Sequence, residues 1–284
     1  MVPGGRFADP PPNELCQKKV TRMNYIQTCI LAKGLWDVLP LVPVIGKCFG
    51  CDGLECHLAQ QMPLKPDFGT GPKCARGAYG ANNRLQQGLY SLMECNCMCR
   101  CNYKTCRNRV LQKGMTKELE VVWVQGQWAL RCHQRIRQGE FICEFVGVIG
   151  KATSPPSSDV VHLPGAEAWI NAITHNACSA LEDRQSTISA EQRAHIDSCS
   201  RRCEHILMID AKNYSNVGKF VRVLTDDRKQ NVDLKWVWVD NHDPLLPRVG
   251  IFAKRDIKAG EILARAQQPS RVIFEDVDEI ADSQ

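Results

Sequence analysis

The stretch Glu94-Cys95-Asn96-Cys97-Met98-Cys99-Arg100-Cys101-Asn102-Tyr103-Lys104-Thr105-Cys106-Arg107-Asn108-Arg109-Val110 sets five cysteines within twelve residues and runs directly into a strand-like segment. Thiols this dense cannot all face an apolar core, and several would be left on the surface as reactive groups. Zinc shared among thiolates accounts for the density. Each Zn²⁺ takes four soft ligands in a tetrahedron, and bridging sulfurs let a cluster form from fewer cysteines. A site filled with thiolates has no open position for substrate, so its role is structural.

Away from this stretch the cysteines thin out. Of 16 in the chain, nine lie between Cys48 and Cys106 and the other seven are scattered. No apolar signal-type segment follows Met1, and the longest apolar run, Leu35 to Ile45, is broken by Asp37, Pro40 and Pro43. That run is too short to span a bilayer. The expectation is a reducing, intracellular setting with a cysteine–zinc knot, no disulfide framework and no membrane association. A net charge of +5 is compatible with an acidic partner such as nucleic acid or chromatin, and equally with an ordinary solvated surface.

The chain divides by composition. Residues 1–44 read as an irregular N-terminal arm with Pro10-Pro11-Pro12 near its start. Residues 45–110 are the cysteine-rich module, where metal replaces a hydrophobic core. Residues 111–268 read as a small, mostly β domain with short helices, and 269–284 as an acidic tail. Short strands are predicted at Leu119 to Val124, Phe141 to Ile149, Ile206 to Asp210, Leu234 to Val239 and Val249 to Phe252, punctuated by Gly126, Gly139, Gly147 and Gly260. A linker is predicted at Ser154-Pro155-Pro156-Ser157-Ser158, and a polar helix from about Ser189 to Arg202. On that helix His195, Cys199 and Cys203 recur every four residues, so they share one face. They form either a further metal site or a half-buried stripe.

The two modules in this order resemble the pre-SET and SET domains of histone lysine methyltransferases, most closely the suppressor-of-variegation class that modifies a lysine of the histone H3 tail. Cys106-Arg107-Asn108-Arg109-Val110-Leu111-Gln112-Lys113-Gly114 is similar to the family's junction between the modules. Ile136-Arg137-Gln138-Gly139-Glu140-Phe141-Ile142-Cys143-Glu144-Phe145-Val146-Gly147 is similar to its "I-x-x-G-x-F-I-C-E-Y-x-G" strand pair. Ile209-Asp210-Ala211-Lys212-Asn213-Tyr214-Ser215-Asn216-Val217-Gly218-Lys219-Phe220 resembles "I-D-A-x-x-x-G-N-x-x-R-F". The segment from Pro247 to Glu261 resembles "P-R-I-x-x-F-A-x-R-D-I-x-x-G-E". The resemblance implies a SET-type β fold behind a pre-SET zinc cluster, in the nucleus, on chromosomes.

In the family, nine cysteines hold three zincs. The resemblance therefore assigns Cys48, Cys51, Cys56, Cys74, Cys95, Cys97, Cys99, Cys101 and Cys106 to two or three structural zincs. Cys95, Cys99, Cys101 and Cys106 match the second family group, and Cys97 is extra. The first group is sparse, so Cys74 and Cys97 either substitute in it or one zinc is missing.

Methyl transfer from S-adenosylmethionine to lysine requires a bound cofactor, an amine aligned at attack distance and a route for its proton. The family uses a Gly-Trp-Gly loop and an Asn-His step against the cofactor, a tyrosine near the domain end and post-SET cysteines. Here the first position reads Gln127-Trp128-Ala129, and Arg222-Val223 falls where the Asn-His step is expected. These five are the candidate residues around S-adenosylmethionine. No tyrosine follows Tyr214 and no cysteine follows Cys203; Ile262-Leu263-Ala264-Arg265-Ala266-Gln267 replaces the family's Leu-x-Phe-Asp-Tyr. The family's "E-Y-x-G-E" reads Glu144-Phe145-Val146-Gly147-Val148, while Asn231 keeps the place of a later family asparagine. No catalytic residue is assigned.

The reading that follows is a SET-family member acting at chromatin, weak or inactive as an enzyme. It would bind histone H3 tails or chromatin proteins, another methyltransferase among them. Two alternatives stand beside it. One is a fully active H3 lysine methyltransferase. The other is a zinc-dependent chromatin or nucleic-acid module, suggested by the basic run Arg100, Lys104, Arg107, Arg109 and Lys113.

Overall fold

The computed structural model describes residues 5–7, 23–35, 79–80, 82–85, 91–97, 99, 101–165, 206–239 and 245–268. Strands dominate. In chain order they are β1 (Gly5–Phe7), β2 (Asn24–Tyr25), β3 (Ile30–Leu31), β4 (Ser91–Met93), β5 (Leu119–Val124), β6 (Gln127–Cys132), β7 (Phe141–Glu144), β8 (Val148–Lys151), β9 (Val160–His162), β10 (Leu207–Asp210), β11 (Tyr214–Ser215), β12 (Arg222–Leu224), β13 (Val232–Trp238), β14 (Arg248–Ala253) and β15 (Ala264–Ala266). Short 3₁₀ turns at Leu111–Lys113, Val217–Phe220 and Asp227–Lys229 connect some of them.

Among the described residues the strands form three main sheets, ordered β1-β5-β6, β3-β8-β10-β9 and β4-β13-β14-β7, with two small pairs, β11-β2 and β12-β15. The mostly β SET-type architecture expected from the sequence is the one observed. Within residues 1–44, the segment expected to be irregular, β1, β2 and β3 each pair parallel with a later strand: β5, β11 and β8. Strands of two or three residues carry no readable alternation, and their partners lie far away in the chain.

The strand read as continuous from Phe141 to Ile149 is broken after Glu144. Gly147 packs against the backbone of Asp210, where a Cβ would stand 2.3 Å from the Asp210 carbonyl oxygen. This contact spaces β7 from β8. The hairpin β5–β6 turns on Gln125 and Gly126, at φ 52° and 79°, the backbone of a two-residue type I′ loop. Apolar alternation places Val121, Leu130, Ile142, Phe145, Ile209, Val249, Ile251 and Leu263 in one core. Tyr79, Leu92, Leu111, Phe141, Trp238 and Phe252 form a second, at the boundary with the cysteine-rich module. Full burial of each large apolar side chain contributes about 1.5–3 kcal/mol.

Candidate functional sites

The cysteine module meets the sheets around Glu94, which is fully buried. Its Oε1 accepts hydrogen bonds from the Tyr79 hydroxyl (2.7 Å), Val110 N–H (3.0 Å) and Leu111 N–H (2.7 Å); its Oε2 accepts from the Gln112 side-chain amide (2.9 Å). The carboxylate thus satisfies the unpaired N–H groups that open the 3₁₀ turn Leu111–Lys113. Burial, and then the neighbouring Glu94, push the Tyr79 phenol well above its ordinary pKa, so it stays a donor at neutral pH.

On the other side of this clamp, the sulfurs of Cys95, Cys101 and Cys106 lie within 4.8 Å of one another. Zinc–thiolate bonds of about 2.3 Å in a tetrahedron put sulfurs about 3.8 Å apart. The Cys95 and Cys106 sulfurs are 3.8 Å apart, so the donor set fits a zinc ion. Arg109 donates from Nε and Nη2 to the Cys101 sulfur, both at 3.4 Å, and Asn108 Nδ2 reaches the Cys95 sulfur at 3.6 Å. Such donors offset thiolate charge around a metal and orient the ligands. Among the described residues no cysteine is disulfide-bonded.

The other predicted ligands divide. Cys99 is buried and exchanges contacts with Asn96, taking the Asn96 N–H at 3.3 Å. Cys97 sits exposed on a turn, outside the triad. Cys48, Cys51, Cys56 and Cys74 lie outside the described residues, as do His195, Cys199 and Cys203. The fourth ligand of a tetrahedron therefore comes from beyond Cys95, Cys101 and Cys106. The basic run is not a solvated patch throughout. Arg109 is 4% exposed and spent on Cys101, Asn96 O and Gln112, and Lys113 Nζ donates to Cys106 O at 2.9 Å.

Of the five candidate cofactor residues, Gln127, Trp128 and Ala129 open β6 of the β5–β6 hairpin, and Arg222 and Val223 lie on β12. Gln127 is exposed, Trp128 is half-buried with its ring edge-on to Trp123 at 5.1 Å, and Ala129 is fully buried opposite Val122. Arg222, on β12, reaches across to the tip of this hairpin. Its guanidinium donates to Val124 O and to Gln125 Oε1. Arg222 is thereby tied to the turn just before Gln127-Trp128-Ala129, where it grips a glutamine held at positive φ. Val223 pairs in parallel with Arg265 of β15.

Sequence reasoning identified Asn231 only as a retained asparagine. In the fold it is fully buried and locks the crossing of the chain. Its Nδ2 donates to Ile262 O (2.9 Å) and Glu261 Oε1 (3.1 Å), and its Oδ1 accepts the Ala264 N–H (2.8 Å). Arg265 was not foreseen as a buried group. It is 2% exposed and lies with its guanidinium carbon 5.8 Å from the Phe145 ring centroid. Burial lowers its pKa to about 10, against the opposing pull of Asp159, which leaves it charged at neutral pH.

Comparison with known proteins agrees with this geometry. The SET domain family model matches residues 127–268. The chain is 30% identical over 217 residues to the histone-lysine N-methyltransferase SUV39H1-A of Danio rerio, covering 74% of this chain and 44% of that protein. Among solved structures, the Neurospora SET domain protein DIM-5, a histone lysine methyltransferase, superposes with TM-score 0.60 at 17% identity, covering 96% of this chain and 97% of that one. KRYPTONITE, solved in complex with mCHH DNA, H3(1-15) peptide and SAH, superposes with TM-score 0.59 at 18% identity, covering 94% of this chain and 44% of that one.

The chain belongs to the SET-domain family, and its relatives include histone-lysine methyltransferases of the SUV39 kind. It spans less than half the length of the curated relatives it matches.

Proposed function

We propose that this chain is a SET-family chromatin protein that binds a histone H3 tail or a chromatin partner, another methyltransferase included, and is weak or inactive in methyl transfer. The observation that carries this reading is Arg222. By sequence resemblance it takes the place of the family's Asn-His step, and its guanidinium bonds Val124 O and Gln125 Oε1 at the turn before the stretch matched to the family's cofactor loop. Gln127 and Ala129 add side chains where the family has glycines, which narrows the approach of S-adenosylmethionine to the backbone. Loss of a single positioned catalytic group typically costs about a hundredfold in rate or more, and here several change together.

Residues 95–106 would carry structural zinc in the module spanning 45–110, with residues 111–268 as the SET domain. The relatives, and the neighbour solved with an H3 peptide and SAH, support a nuclear, chromosomal site of action and a histone-tail partner. The active-enzyme alternative draws support from Trp128, retained in place beside Trp123. A nucleic-acid module is less favoured, because Arg109 and Lys113 are already engaged within the knot.

Incubation of zinc-loaded protein with S-adenosylmethionine and an H3 tail peptide, read by mass spectrometry, tests the reading. The expected result is no methylated peptide above the background of peptide and cofactor alone. Steady turnover would establish the active enzyme. The double variant Gln127→Gly, Ala129→Gly should gain cofactor binding if those side chains narrow the cleft.

A further inference from the structure

Strand β15 and the two residues after it make two contacts that the β12–β15 pair does not require. The first concerns the outer edge of β9. Among the described residues β9 is the end strand of its sheet, and Leu163 N–H bonds to Leu207 O on the inner side. By the alternation of an antiparallel ladder, His162 turns its N–H and C=O outward. An outward-facing edge is a template for an added peptide strand. Here that position is taken by a side-chain amide: His162 N–H donates to Gln268 Oε1 at 2.9 Å, and Gln268 Nε2 donates to His162 O at 2.8 Å. The pair reproduces the two-bond contact of a neighbouring strand. The next edge group, Val160 O, accepts from Ser157 N–H within the same loop.

The second feature is Arg265, three residues earlier. Its guanidinium is buried against the Phe145 ring, and Nη2 donates to Ser157 O at 2.9 Å and Ser158 O at 3.4 Å. An aromatic face with backbone carbonyls is a cage for a cation, and burying a charge there is costly unless the cage is built for it. Gln267 completes the contact by donating to Pro156 O at 2.6 Å. Three of these four consecutive residues therefore hold the segment from Pro156 to His162.

We propose that residues 265–268 act as a plug in cis, with Arg265 and Gln268 presenting the cation and the strand-like amide that a basic, extended peptide would otherwise bring to the β9 edge and the Phe145 face. This rests on the reading of the chain as a histone-tail binder and adds that its groove is closed by its own residues 265–268. A groove closed 90–99% of the time weakens apparent peptide affinity by about 10- to 100-fold.

The test is fluorescence anisotropy with a labelled H3(1–15) peptide and the full chain, comparing wild type with Gln268→Ala and Arg265→Met. The plug predicts that each variant binds the peptide at least about tenfold more tightly than wild type. If Arg265→Met fails to fold, Gln268→Ala decides alone, because Gln268 is only half-buried. Equal affinities for wild type and folded variants would overturn the plug and leave the tail-binding reading standing. No binding by any folded form would overturn both.

Discussion

Two places where distant parts of the chain meet are built on the same plan and differ in what surrounds the plan. At the junction of the cysteine module with the sheets, Glu94 gathers Tyr79, Val110, Leu111 and Gln112. At the crossing of residues 231 and 261–264, Asn231 gathers Glu261, Ile262 and Ala264. Each clamp is fully buried, and each fixes backbone that would otherwise be unpaired. Around the first, Asn108 and Arg109 match the family motif and face sulfur. Around the second, Arg222 reaches the β5–β6 turn and Arg265 lies against the Phe145 ring. The Asn231 side chain adds to a crossing that backbone bonds also tie, Arg222 N–H to Leu263 O and Asn231 N–H to Ala264 O. The proposed reading, an altered site on an intact scaffold, predicts that the two respond separately to mutation.

The sharpest way to break the comparison is to remove the metal. If the triad holds zinc, Cys106→Ser or a strong chelator should release it stoichiometrically and lower the melting temperature by more than ~10 °C, because ligation free energy is folding free energy in such modules. A chromogenic zinc assay alongside thermal melting reads both. Retention of the full melting temperature after zinc loss would show that the junction stands on Glu94 without the knot.

Next in size is the scaffold itself. Gly147→Ala drives a Cβ to 2.3 Å from Asp210 O, against Asp210–Ala211 backbone that has no flexible end to yield, and should cost about 3 kcal/mol or more, seen as a drop in the urea midpoint. Glu94→Ala leaves the Tyr79 hydroxyl and the Val110 and Leu111 N–H groups without their acceptor, with an expected loss of about 2–3 kcal/mol in the same measurement. A near-neutral result for Glu94→Ala would mean that water replaces the carboxylate, and that the junction is looser than the crossing.

The smallest effect concerns pH. Glu261 is partly desolvated, which raises its pKa, but hydrogen bonds from Arg255, the Lys258 N–H and Asn231 outweigh this and hold it below its ordinary value of 4.5. A depressed carboxylate contributes stability that is present above its unfolded pKa and lost as pH falls through the lower, folded value. Glu261→Gln should therefore flatten the decline in stability between about pH 6 and about pH 3, by less than ~1 kcal/mol given solvent screening. Equilibrium urea unfolding across that range is the check.

Much of the scaffold was legible in the sequence. The alternation of Leu119 to Val124 and the apolar run around Val249 to Phe252 each encode a strand locally, and both lie within one residue of their observed bounds. Strands β1 to β4 were not legible, since two or three residues set no period and their pairing is decided by partners far along the chain. The cysteine spacing pointed to metal but could not say which sulfurs converge; the turn at Cys97 sends that thiol outward while Cys95, Cys101 and Cys106 meet. Arg265 was illegible for a different reason. A charge within an alternating strand reads as solvent-facing, and only the fold shows carbonyls and the Phe145 ring around it.

The central claim is that the chain keeps the SET scaffold while its own side chains occupy the cofactor cleft. Titration calorimetry of S-adenosylmethionine into folded, zinc-loaded protein tests it most directly. The account predicts no binding heat up to about millimolar cofactor, a free energy weaker than about −4 kcal/mol. Saturable binding at micromolar concentration would contradict it and make histone methyl transfer the working description.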